Sequence, residues 1–124
     1  MEQIKTFEDA CKVLNLDPVK VLPDVSAFPP THQAALTAAG KLFIIADALN
    51  EGWKPDWNDD DEYKYYPWFD LEKDKNNPSG FRLFGVFCNC TDSSVGSRLC
   101  FKSRDIAEYA GTQFVDLYRD LMVI

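Results

Sequence analysis

Three short segments between Tyr63 and Phe101 constrain this chain more than any other part of it. They are Tyr63-Lys-Tyr-Tyr-Pro-Trp-Phe69, Phe81-Arg-Leu-Phe-Gly-Val-Phe-Cys-Asn-Cys90 and Ser97-Arg-Leu-Cys-Phe101. Aromatic and β-branched residues favour a pleated, half-buried surface, and turn formers punctuate the intervals, so the pattern predicts a three-stranded antiparallel sheet. Pro67 cannot donate to a ladder, which puts the first strand at an edge or gives it a bulge. The turns are Glu72-Lys-Asp-Lys-Asn-Asn-Pro-Ser-Gly80 and Thr91-Asp-Ser-Ser-Val-Gly96.

The flanks read as helices. Thr6 is an N-cap with acids in the first turn behind it, and Phe7, Cys11 and Leu14 recur at helical spacing until Asp17-Pro18 stops the run. Four prolines, Pro18, Pro23, Pro29 and Pro30, mark an extended connector on the body of the domain. A second helix follows from near Pro30 to about Asn50, with Gly52 as its stop. Its wide apolar stripe (Leu36, Ala39, Leu42, Phe43, Ile45, Ala46, Leu49) predicts a central, buried helix. After the N-cap Ser103, the residues Ile106, Tyr109, Phe114, Leu117 and Leu121 trace one face of a final helix. Gly111 interrupts that helix at a cost of about 1 kcal/mol relative to Ala, which predicts close packing there.

The order α, α, β, β, β, α predicts an α+β fold in which a small three-stranded antiparallel sheet packs against two N-terminal helices and a C-terminal helix. At 124 residues, 46% hydrophobic and 27% charged, residues 1–124 form one domain with an adequate core. No apolar run approaches the roughly 20 residues of a membrane span, and no signal-peptide pattern opens the chain, so the expected location is the cytoplasm. Four cysteines in that setting are expected to be reduced.

The net charge of −7 falls entirely in residues 1–62, where twelve acids face five lysines, while residues 63–124 balance at eight and eight. Such an excess opposes a polyanion at long range and argues against nucleic acid as partner. Ser79-Gly-Phe-Arg-Leu-Phe-Gly-Val-Phe87 superficially resembles an RNA-binding strand motif, but its spacing and the order of elements differ.

Trp53-Lys-Pro-Asp-Trp57, Tyr65-Tyr-Pro-Trp-Phe69, Gly96-Ser-Arg-Leu-Cys-Phe-Lys-Ser103 and Ile106-Ala-Glu-Tyr-Ala-Gly111 together resemble a family of small uncharacterised proteins of anaerobic gut bacteria and their bacteriophages. The resemblance spans roughly residues 30–124 and carries no functional residue with it. It implies a phage or prophage setting, and with it a virion component or a binder of a host factor.

Candidate chemistry is sparse. Asp56-x-Asn58-x-Asp60 opens like a calcium loop, yet Asp61 stands where glycine belongs and Pro67 where the bidentate Glu belongs. Cys88, Cys90 and Cys100 are candidate metal ligands or reactive thiols. If Cys88 pairs opposite Cys100 the three line one face; a slip by one sends Cys88 and Cys90 into the core and Cys100 to the other face. A zinc site would need Cys11 or His32 as a fourth ligand, at spacings foreign to zinc modules. His32 otherwise reads as a first-turn helix side chain.

Trp53, Trp57, Tyr65 and Trp68 are the candidate partner-binding residues, because their aromatic area exceeds what one face of a small sheet absorbs. The expectation is therefore a non-enzymatic protein-interaction module, needing no cofactor, that takes a protein partner or a second copy of itself. Two alternatives stay open: a thiol- or metal-dependent small enzyme or regulator built on the three cysteines, and an acidic decoy that mimics nucleic acid.

Overall fold

The computed structural model describes residues 3–124. Helix α1 (Phe7–Val13) opens on a capping box: Thr6 Oγ1 accepts the Asp9 N–H at 3.1 Å, and the Asp9 carboxylate accepts the N–H groups of Thr6 and Lys5. These bonds hold the Asp9 carboxyl below the ordinary carboxylate range, the Lys5 N–H contributing most. The helix buries Phe7, Ala10 and Cys11 against helix α2 (Pro30–Asn50).

Helix α2 ends where Glu51 and then Gly52 take left-handed backbone angles, φ 51° and 82°. Its burial is uneven. Leu42, Ile45, Ala46, Ala48 and Leu49 enter the core, whereas before Leu42 only Ala38 is buried. The apolar stripe of the first half faces the proline-rich connector instead of the core, which corrects the expectation of a helix central along its whole length.

The sheet has two strands, β1 (Lys64–Asp70) and β2 (Arg82–Asn89), antiparallel with Tyr65 opposite Cys88, Tyr66 opposite Phe87 and Pro67 opposite Val86. A bulge at Trp68/Phe69 makes Phe84 the extra residue. The expected third strand is reduced to one bridge, in which Tyr65 and Phe101 exchange both backbone hydrogen bonds at 3.0 and 2.7 Å. Its extension is blocked at Pro67, the next residue of β1 facing that side, which has no N–H to give. The buried Asn50 side chain takes over on the far side, donating to Cys100 C=O and accepting the Lys102 N–H.

The C-terminal helix divides in two, α3 (Arg104–Gln113) and α4 (Val115–Met122), about a buried Phe114 with φ −111° and ψ 28°. The division lets α3 pack beneath the sheet and α4 against α2, two directions that one straight helix cannot serve. Gly111 is the close approach: a Cβ built there would lie 2.8 Å from both Leu83 Cδ1 and Pro67 Cβ. Tyr118 of α4 packs on Phe69 with ring centroids 4.8 Å apart and planes tilted by 36°, joining the sheet's inner face to the helical core. Over the described residues the fold is thus α+β with four helices and two strands. Among the described residues no helix is long and apolar enough to cross a membrane.

Candidate functional site

Alternation along β1 and β2 sorts the aromatic residues. Tyr65, Pro67, Phe69 and Leu83 turn toward the helices, with Phe69 stacked on Phe81 and Tyr65 lying under the Arg104 guanidinium at 5.4 Å. Tyr66, Trp68 and Phe87 share the outer face. Trp68 and Phe87 stack nearly parallel, 4° apart with centroids at 4.8 Å, and Tyr66 tilts against both at 6.3 and 6.4 Å. Trp68 remains 45% exposed and Phe87 42%, while Phe84 on the bulge is 65% exposed. Beside Trp68 an apolar recess of about 270 Å³ is closed by Ser94, Val95 and Met122.

The other expected partner-binding residues lie elsewhere. Trp57 is half-buried, donates through Nε1 to Ser97 Oγ at 2.7 Å, and has the Lys64 ammonium 5.2 Å from its ring centre. Lys64 is 1% exposed and organises the acidic loop: Nζ donates to the carbonyls of Asp59 (3.2 Å), Cys90 (2.6 Å) and Asp56, and pairs with Glu62 Oε1 at 3.3 Å. This buried cation is a structural centre that the sequence pattern does not single out. Trp53 is half-buried in a polar cleft with Asp47, Lys54 and Arg98. Of the four residues, then, Trp68 belongs to the exposed aromatic face and Phe87 joins it there, while Phe84 stands at the β2 edge beside Arg104 and Glu108. Position parity along β2 identifies Phe87 once the register is fixed; nothing in the sequence fixes it.

Neither expected cysteine register occurs. Cys88 faces Tyr65, and Cys100 lies beside the Phe101 bridge on the other flank of β1. Cys100 is fully buried, and burial pushes its thiol up to about 11, away from a thiolate nucleophile or ligand. Cys11 is also buried and raised by desolvation, and His32 is exposed at the start of α2.

Among the described residues, the one convergence of three potential ligand atoms is Asp59, Asp60 and Asp61, all exposed, with their oxygens within 4.8 Å of one another. In the would-be calcium loop, Asp56 and Asp59 instead accept the backbone N–H groups of Asn58 and Asp61, both at 2.9 Å. A further apolar groove of about 610 Å³ runs between the connector and α2, bounded by Val21, Pro23, Phe28, Leu36 and Phe43.

Comparison with protein-family models, with curated proteins and with solved structures finds no match for this chain.

Proposed function

We propose that the chain is a non-enzymatic protein-interaction module that takes a protein partner, or another copy of itself, on the outer aromatic face of its sheet. The observation that carries this reading is the Trp68–Phe87 stack: two rings held 4.8 Å apart, yet each more than two-fifths exposed beside an apolar recess. Rings ordered before binding lose little conformational freedom when a partner covers them, and aromatic anchors beside a pocket dominate binding energy in protein interfaces. A phage or prophage setting is part of the proposal and rests on the motif resemblance. Thiol chemistry has less support, because Cys100 is sealed in the core with its thiol raised.

The test is capture of a partner from host lysate by the purified chain and by Trp68→Ala/Phe87→Ala. Loss of two anchors is expected to weaken binding by at least about 30-fold while circular dichroism and the thermal midpoint stay near wild type. A folded double variant that keeps its partner would refute the reading.

A further inference from the structure

The backbone of β2 has an outward side that no strand among the described residues pairs. Because Tyr65 spends both main-chain groups on Phe101, its cross-strand neighbour Cys88 has N–H and C=O directed away from β1; two residues on, Val86 does likewise. Consistent with this, the Val86 carbonyl accepts from Arg104 Nη1 at 2.9 Å, a side chain that reaches this edge from the inner face, where it also lies over Tyr65. A groove of about 320 Å³ follows this edge, bounded by Phe84, Gly85, Arg104 and Glu108. The outer side of β1 offers no equivalent, being held by Phe101 at Tyr65 and lacking an N–H at Pro67.

We infer that a second copy of the chain occupies this edge, two β2 strands pairing antiparallel about a two-fold axis at Phe87. This deepens the reading above and rests on it for the role of Trp68 and Phe87. In that register Val86 of each copy exchanges hydrogen bonds with Cys88 of the other. Phe87 then lies opposite its own counterpart as a non-hydrogen-bonded pair, the arrangement in which cross-strand side chains come closest. The Trp68–Phe87 stack continues into the second copy and the two sheets become one of four strands. One feature favours a second copy as occupant. The groove's charges, Arg104 and Glu108, are of opposite sign, and the only charge on β2 itself, Arg82, is already paired with Asp70 at 3.2 Å, so the paired edges themselves carry no excess of one sign. In the pair, Arg104 gives up the Val86 carbonyl to a main-chain N–H of the second copy.

Sedimentation equilibrium of the purified chain tests the pairing. A concentration-dependent dimer is expected. Val86→Pro removes an outward N–H and leaves the β1–β2 bonds intact, and is expected to raise the dimer dissociation constant at least about tenfold. Phe87→Glu, at an exposed position, sets two carboxylates face to face and does the same; it decides the matter should the proline variant unfold. Phe87→Cys under mild oxidation is expected to yield a disulfide joining position 87 to position 87. A chain that stays monomeric to about 0.5 mM overturns the pairing. So does a dimer that both folded variants leave intact, or an oxidised Phe87→Cys that links only through native cysteines. Each of these results leaves the aromatic-face reading standing, because that reading falls only with the lysate experiment on Trp68→Ala/Phe87→Ala.

Discussion

Replacing Gly111 with alanine sets helix propensity against packing, and the geometry decides which prevails. Alanine in a helix interior is worth about 1 kcal/mol over glycine, so an exposed site would gain that much. Here the added methyl lands 2.8 Å from Leu83 Cδ1 and 2.8 Å from Pro67 Cβ, with Phe69 Cζ at 3.5 Å. Carbon pairs prefer roughly 3.5–4.0 Å, so both short contacts must open by about an ångström. Leu83 can rotate its δ-methyl away; Pro67 cannot, because its Cβ belongs to a ring fixed in β1. Overpacking of this kind costs about 1–3 kcal/mol, and with one unyielding neighbour the upper part of that range applies. The net expectation is a loss of about 1–2 kcal/mol, or roughly 4–8 °C in thermal midpoint for a domain of this size. Urea titration followed by circular dichroism measures it. Leu83→Ala in the same chain should recover part of the penalty by vacating one of the two contacts, visible as non-additivity in the double-variant cycle. A Gly111→Ala protein more stable than wild type would show that α3 does not press on Pro67, and would refute the packing argument.

Lys64→Met keeps the aliphatic stem but leaves the carbonyls of Asp56, Asp59 and Cys90 without their shared donor and Glu62 with only the Asp56 N–H. A cost of about 2–3 kcal/mol is expected in urea titration, with a change in Trp57 fluorescence as the acidic loop loosens. Tyr118→Phe should stabilise the protein by about 1 kcal/mol at neutral pH, since the buried hydroxyl has no hydrogen-bond partner among the described residues; a loss above that size would mean the hydroxyl is satisfied. Burial raises Cys100 from 9.0 to about 11 and also raises Tyr118, so the unfolded chain releases these protons at lower pH than the folded one. Stability is therefore complete below about pH 9 and declines toward pH 11, and Cys100→Ala should flatten that decline; an unchanged slope would count against the assignment.

What the sequence discloses and what it hides follow from the range of the interactions involved. The N-cap at Thr6, the stop after Asn50 and the tight spot at Gly111 depend on near neighbours or on one residue's backbone, and all three are legible in the chain. The break at Phe114 is not, because α3 and α4 have continuous helical periodicity and divide only to reach different tertiary partners, the sheet and α2. Lys64 eludes a composition argument for a similar reason: its ammonium is buried by carbonyls drawn from residues 56, 59 and 90, which the sequence holds apart. The aromatic excess between Trp53 and Phe69 is visible in composition. Its division is not, since Trp57 is tied to Ser97 while Trp68 is left on the surface, and that outcome turns on the strand register.

One residue links the sheet's small size to its exposed face. Pro67 withholds the N–H that a third strand would need beyond Tyr65, so residues 97–101 contribute a single bridge, and they lie on the far side of β1 from β2. The same ring receives Gly111 on the inner face and holds α3 beneath β1. With one flank closed by the bridge and the inner face closed by the helix, what is left of the sheet is the outer rings and the free side of β2. A third strand in register would have widened the sheet on the wrong flank and left that edge as it is. Substituting Pro67 by threonine, which supplies the missing N–H, would therefore allow the Phe101 ladder to lengthen toward Leu99 without covering Trp68 or occupying the backbone of Val86 and Cys88. Hydrogen exchange should then show added protection at residue 67 and none on the outer side of β2, because closing one flank of a two-stranded sheet cannot close the other.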